Sequence, residues 1–456
     1  MTDKPSYQLT KHPIGTVREI WAISWPLMLG LCSSSFMMFA DRLYLAHFSV
    51  VSMNAMAVGG LACFLFLVLP FSICQITEVF VGRYHGQERN DQVGKPIWQI
   101  IWIAFMAWPV LALISRLLGN LTFGRESLEY EYFVTMLDFC PAFMISVGIM
   151  GYFIGIGKTK VISYATILSN LLNILLAPLF IYGSKFAPSL GIKGAAIATG
   201  LAQGFQALFL LTLCLQKRWR DKFQTHKITF DLPLIKEMLS FGVPSGIGRL
   251  MEVLAFLIFF KIITLAGVNE LTCATMVQCF YLLAVFCVDG ISKGVTTVIS
   301  NLVGAKNEHL IPKVLQSGIK VHTLVTAIMT LICFGFCEWI FSHILQKEEV
   351  GLLGDPLFSW SLKIALGWMC LFFLLDGFAW IYSGHLLALG DTKYIMNVTS
   401  VVHWFTYVLP TYLCVVNLGT GAATGWALMV VDGVVMVSLL WWRSSKKMAE
   451  LAVVYK

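Results

Sequence analysis

Nine ionisable side chains stand inside stretches of sequence that are otherwise apolar: Asp41, Glu78, Asp138, Glu252, Lys261, Asp289, Lys293, Asp376 and Asp432. A charge at the centre of a bilayer costs roughly 2.5–3.5 kcal/mol even on the lenient insertion scale, so charges that persist there are paired, face water or serve a function. The chemistry open to an unpaired buried carboxylate is narrow: it carries an exchangeable proton, or it binds a cation. Asp376 is the clearest case. It sits within Phe372-Phe373-Leu374-Leu375-Asp376-Gly377-Phe378, with no cation within four residues. Glu252 follows Arg249 by three residues, so an ion pair on one helix face competes with a functional role. Asp289 and Lys293 are four apart and can neutralise each other in the same way. Glu78 lies close to a basic loop, and Asp138 and Asp432 have no obvious partner nearby. Asp41 ends a charge-free run from Ile20 to Ala40 and precedes Arg42. It reads equally well as a helix-end charge at the interface or as an interior carboxylate.

The elements that hold these groups follow from composition. The chain has 456 residues, 58% hydrophobic and 12% charged, against roughly 25% charged in soluble domains. Apolar runs of about 20 residues recur along its length, the span of a membrane helix. They are continuous rather than alternating, which predicts helices and not a barrel. Twelve helices are predicted, over 17–45, 52–82, 94–118, 129–156, 161–183, 191–216, 235–266, 270–303, 313–345, 357–388, 393–417 and 420–443. Prolines at 26, 70, 109, 141, 178, 244 and 410 fall inside them and are expected to bend them. Residues 1–19 are polar and the next apolar run is too long for a leader, so no signal peptide is expected.

The sequence repeats itself. Arg18-Glu19 followed by Pro26 is answered by Lys236-Glu237 followed by Pro244, Gly86 by Gly304, and Lys95 by Lys313, all at an offset of 218. Gly157-Lys158-Thr159-Lys160 is answered by Gly390-Asp391-Thr392-Lys393, and Gly194-Ala195-Ala196 by Gly421-Ala422-Ala423. Two six-helix lobes follow, residues 1–216 and 235–456, joined by the loop 217–234. An even helix count per lobe gives a parallel repeat, the plan of transporters whose lobes rock about a central site. Basic residues concentrate in alternate loops, including Lys4, Lys11 and Arg18, Arg83 and Arg89, and Lys217 to Lys236. The loops between are poorer, with Arg116, Arg125, Lys185, Lys193 and Lys347. This bias predicts cytoplasmic termini.

Other chemistries are excluded. The net charge of +7 belongs to the loops and is no nucleic-acid signal. The twelve cysteines form no C-x-x-C pair and predict neither disulfides nor a metal site. Gly290-Ile291-Ser292-Lys293-Gly294 matches G-x-S-x-G but lies in a membrane helix, without the strand-to-helix turn that motif needs. Gly157-Lys158-Thr159 imitates the end of a P-loop, with Tyr152 where glycine is required. No nucleophile or metal cluster that would make this an enzyme is visible.

Taken in order, Pro26, "FADRLYLAHFS", "GRYHGQ", "GKTK" and "LGIKGAAIAT", then "FGVPSGIGRLMEVLAF", "VGAKN" and "LLALGDTK", resemble the multidrug and toxic compound extrusion (MATE) family over residues 15–445. The resemblance implies a secondary antiporter of the bacterial inner membrane that expels organic cations and other drugs in exchange for Na+ or H+, with no cofactor beyond that cation. It implies that Asp41 lines the N-lobe cavity with Asn173 and Thr199, and that Glu252 and Asp376 share a C-lobe cation site. One position departs from the pattern: Ala177 stands where the fifth helix usually has Asn or Asp, and Asn170 compensates only partly. Small cationic, amphipathic drugs and membrane lipids are the expected partners, nucleic acid is not, and a monomer is expected. A major-facilitator exporter is the nearest rival, but its loop motif G-x-x-x-D-[RK]-x-G-[RK]-[RK] does not match "GRYHGQERND". A lipid-linked oligosaccharide flippase is the next.

Overall fold

In the computed structural model residues 8–183, 188–344 and 355–454 are described, and all regular structure in them is helical. Lys4, Lys185, Lys347 and the end of the helix expected over 313–345 fall outside them. The long helices are α1 (Val17–Phe48), α2 (Val50–Gln75), α3 (Thr77–Gly86), α4 (Lys95–Phe123), α5 (Leu128–Asp138), α6 (Cys140–Gly155), α7 (Thr159–Ile181), α8 (Gly191–Cys214), α9 (Leu232–Ile263), α10 (Val268–Gly304), α11 (Ile311–Ile344), α12 (Pro356–Leu389), α13 (Thr392–His403), α14 (Leu409–Leu418) and α15 (Ala422–Val454).

Among the described residues, ten helical spans are long and apolar enough to cross a membrane, eleven when α5 and α6, bent by 49° at their junction, count as one. The expectation was twelve. The predicted span not among them is α9, 32 residues long, with Lys236 and Glu237 near its start, Arg249 and Glu252 at its middle and Lys261 near its end.

Proline acts in two ways. Pro26, Pro70, Pro109, Pro178 and Pro244 lie within continuous helices, and the Ser163 hydroxyl donates to the Pro26 carbonyl. Pro141 and Pro410 instead stand at helix starts. Because proline has no N–H and clashes with the carbonyl four residues back, the regular α-helical pattern is interrupted before each. Phe139 interrupts α5 and α6, and a π-helical turn, Trp404–Val408, separates α13 from α14. The span expected as a single helix over 129–156 is therefore bent, whereas that over 393–417 runs on as one span through its π-helical turn.

By internal packing the chain forms two compact units. Unit 1 holds Ala22–Gly246 and Thr297–Asn307, with the described residues up to Lys11; unit 2 holds His12–Trp21, Ile247–Thr296 and the described residues from Glu308 onward.

In unit 1, α7 packs on α8, and α6 packs on α3, α4 and α8. Ile97, Ile149, Tyr152, Phe153 and Ile162 meet in its core. The segment after α8 is tied to α4. Gln99 donates to the Thr229 carbonyl at 3.1 Å and accepts from the Asp231 N–H at 2.9 Å, and Trp98 donates to the Thr225 carbonyl at 2.9 Å. The end of α3 crosses the end of α10 so closely that a Cβ on Gly86 would strike the Asn301 carbonyl, and one on Gly304 the Arg83 carbonyl. These are repeat partners in the sequence.

In unit 2, α12 packs on α15 and on α11, over a core that includes Phe259, Tyr281, Phe373, Tyr407 and Trp426. The other repeat is visible in the backbone. Gly157 and Gly390 both take positive φ, 70° and 86°, which glycine adopts without steric penalty. Each is followed two residues later by the threonine that opens α7 or α13.

Candidate functional site

In unit 1, α1 carries Asp41 nearly buried, 6% exposed. Asn173 of α7 and Thr199 of α8 are the polar side chains that act on its carboxylate. Asn173 Nδ2 donates to Thr199 Oγ1 at 3.0 Å, and that hydroxyl donates to the Ala195 carbonyl at 3.0 Å. Asp41 Oδ1 and Asn173 Oδ1 are buried oxygens with no hydrogen-bond donor among the described residues. Two oxygen acceptors without a donor suit a cation or a donor group from a ligand. Asn170 does not join them: its amide donates to Ser33 Oγ at 2.7 Å and Ser34 Oγ at 3.2 Å on α1. Ala177 is fully buried and contributes no polar atom.

Unit 2 gathers a larger set. Arg249 donates from Nη1 to both Glu252 oxygens, at 3.2 and 3.1 Å, and its guanidinium lies 3.8 Å from the centre of the Trp380 ring. The Tyr281 hydroxyl donates to Asp376 Oδ2 at 3.1 Å. Glu252, Asp289 and Asp376 all act electrostatically on Arg249, and Glu252 acts on Asp376. Lys293 pairs with Asp289 at 2.6 Å. His403 Nδ1 sits 3.1 and 3.0 Å from the two oxygens of Asp432, and the Thr406 hydroxyl has Asp432 Oδ1 and the Val402 carbonyl as acceptors. The cluster holds four carboxylates, Glu252, Asp289, Asp376 and Asp432, against two permanent cations, Arg249 and Lys293. It has room for added positive charge.

The remaining sequence candidates have local roles. Arg116 clasps Asp138 at 2.8 and 2.9 Å. Glu78 is buried in the first turn of α3, where a carboxylate suits the helix N-terminus. Lys261 is exposed in the last turn of α9, where a cation suits the C-terminus. Sequence reasoning missed Tyr281, Trp380, His403 and Thr406. For His403 a signal existed: a histidine in an apolar run needs a polar partner, and Asp432 needed one too.

A polytopic helical fold with a buried carboxylate in one unit and a cluster of them in the other is that of a membrane transporter. The family model described as MatE matches residues 26–179 and 244–413, and the chain belongs to that family. The probable multidrug resistance protein NorM of Thermotoga maritima is 24% identical over 408 residues, which span 86% of this chain and 84% of that one. The uncharacterized transporter YisQ of Bacillus subtilis is 23% identical, over 95% of this chain and 96% of its own. Among solved structures, a MATE protein in complex with MaL6 superimposes with a TM-score of 0.87 at 18% identity, covering 98% of this chain and 99% of that one. A MOP superfamily transporter from Pyrococcus furiosus gives 0.86 at 18%, covering 99% and 100%.

Proposed function

We propose that the protein is a multidrug exporter of a bacterial inner membrane that exchanges cationic, amphipathic small molecules for Na+ or H+. Relatives named as multidrug resistance proteins support the substrate class. The observation that carries the ion coupling is the excess of carboxylate over permanent cation around Asp376 and Glu252. In this reading Asp376 and Glu252 bind the coupling cation, and Asp41 with Asn173 and Thr199 binds drug or proton. The drug and the ion compete for negative charge, so occupancy by one favours release of the other. Inward movement of a cation supplies about 2.3 kcal/mol per charge per 100 mV.

The architecture that goes with this reading is two six-helix lobes with α9 as a spanning helix, both termini cytoplasmic, and a monomer. Reconstitution into vesicles with imposed Na+ or pH gradients tests the function. Outward dye transport that follows one of the gradients is expected; transport indifferent to both would overturn the antiport. Labelling of a cysteine at position 222 from outside intact cells would overturn the topology.

A further inference from the structure

We infer that His403 and Asp432 form a second ion site in unit 2, one that takes and releases a proton separately from the cation site at Glu252 and Asp376. The inference rests on the antiport reading above and specifies how much charge one unit exchanges.

The pairing within the cluster leads to it. Arg249 is engaged with Glu252, and Lys293 with Asp289. Two carboxylates remain without a permanent cation of their own. Asp376 is held by a neutral donor, the Tyr281 hydroxyl. Asp432, only 2% exposed, is held by His403, itself 9% exposed. Imidazole is the one side chain whose ordinary titration falls near neutral pH. Unit 2 therefore has two open positions for positive charge, and one of them is built around a group that accepts a proton.

The proton balance is simple. With the Nδ1 hydrogen directed at an ionised Asp432, an added proton goes to Nε2 and gives an imidazolium–carboxylate pair. In the other tautomer it goes to Asp432, whose O–H then donates to Nδ1. Either way the pair passes from one negative charge to none. Glu252 and Asp376 are the other charged groups that act on His403, Tyr407 packs its ring at 5.8 Å, and Arg249 acts electrostatically on Asp376. The two sites thus sense each other's charge while sharing no ligand.

The internal repeat gives an independent argument. Gly157 and Gly390 are repeat partners 233 positions apart, and at that same offset Asn170 corresponds to His403 and Asn173 to Thr406. Unit 1 has amides at these positions on α7, and amides do not take up protons near neutral pH. Unit 2 has a titratable group and a hydroxyl, with Asp432 supplied opposite them by α15. The backbone also differs there: the Leu409 N–H bonds to the Trp404 carbonyl five residues back, closing a π turn directly after His403. Such turns occur frequently at functional sites.

The test counts protons. Ethidium is bound to the purified full-length protein in weakly buffered detergent at saturating Na+, and released protons are read with a pH dye. The wild type is expected to release one proton more per ethidium than His403→Gln or Asp432→Asn, each of which keeps a hydrogen-bonding side chain. Equal proton release by wild type and both variants would overturn the second site. Should neither variant accumulate, 15N-histidine NMR of the wild type decides: one imidazole changing charge when ethidium is added supports the site, and none doing so overturns it. Failure of the antiport reading is distinguishable, because the wild type itself would then bind ethidium without releasing protons or competing with Na+.

Discussion

Asn301 Oδ1 lies 2.7 Å from Nδ1 of His85, a residue 216 positions earlier in the chain. The same side chain donates from Nδ2 to the carbonyls of Gly155 and Thr297, both at 2.9 Å. One amide therefore ties α3, α6 and α10 at the place where Gly86 and Gly304 bring two backbones together. Removing one partner of a buried hydrogen bond costs about 1–3 kcal/mol. Asn301→Ala is expected to lower the thermal unfolding midpoint of the purified protein, and Gly304→Val to lower it further. An unchanged midpoint in Asn301→Ala would show that the crossing holds without this amide.

Asp376→Asn should abolish ion-driven export of a cationic dye while the protein still accumulates in the membrane. The substitution is isosteric and keeps an acceptor for Tyr281, so packing is preserved and only the charge is lost. Vesicles carrying the variant are compared with wild type under the same gradient. Full-rate outward dye transport by Asp376→Asn would remove this residue from the ion site.

Asp41→Asn is expected to reduce drug binding about tenfold to a hundredfold, the range for loss of a hydrogen bond to a charged group. Protection of unit 2 from proteolysis by the coupling ion should persist, since Asp41 belongs to unit 1. Ligand titration and ion-dependent proteolysis separate the two effects. Loss of both together would argue that Asp41 belongs to the ion site instead.

Ala177→Asn places an amide beside Asn173's helix turn at a position that is fully buried. The added volume has to displace neighbours, and overpacking of this kind costs typically about 1–3 kcal/mol. A lower unfolding midpoint is expected in a detergent thermal melt. A stabilised variant would mean that the space beside Asn173 is larger than the packing suggests.

Arg249→Lys should not behave as a conservative change. Lysine keeps the charge but loses the planar stacking on Trp380 and the fork that reaches both oxygens of Glu252. A cation–π contact contributes about 0.5–2 kcal/mol, so coupling-ion affinity should change by roughly twofold to thirtyfold. An ion titration identical to wild type would show that the stack carries no weight.

The sequence alone determined the class of protein and where its charges lie. Hydropathy and helical periodicity are local sums, and they locate spans, prolines and carboxylates without reference to any partner. The repeat was legible for the same reason: Gly157 and Gly390 each end a helix in a positive-φ turn, a local demand that leaves a residue signature. What hydropathy does not encode is the rotation of one helix against another or the depth of a run's last residue. Asp41, ambiguous between interface and interior, is nearly buried beside Asn173 and Thr199, while Asn170, one turn earlier than Asn173, turns to Ser33 and Ser34 instead. Asp138 and Asp432 had no partner within a helical turn; tertiary packing supplies Arg116 and His403, 22 and 29 residues away. Those distances are the physical reason the pairs were invisible. An ion pair across two helices depends on how apolar faces dock, and only the packed structure fixes that.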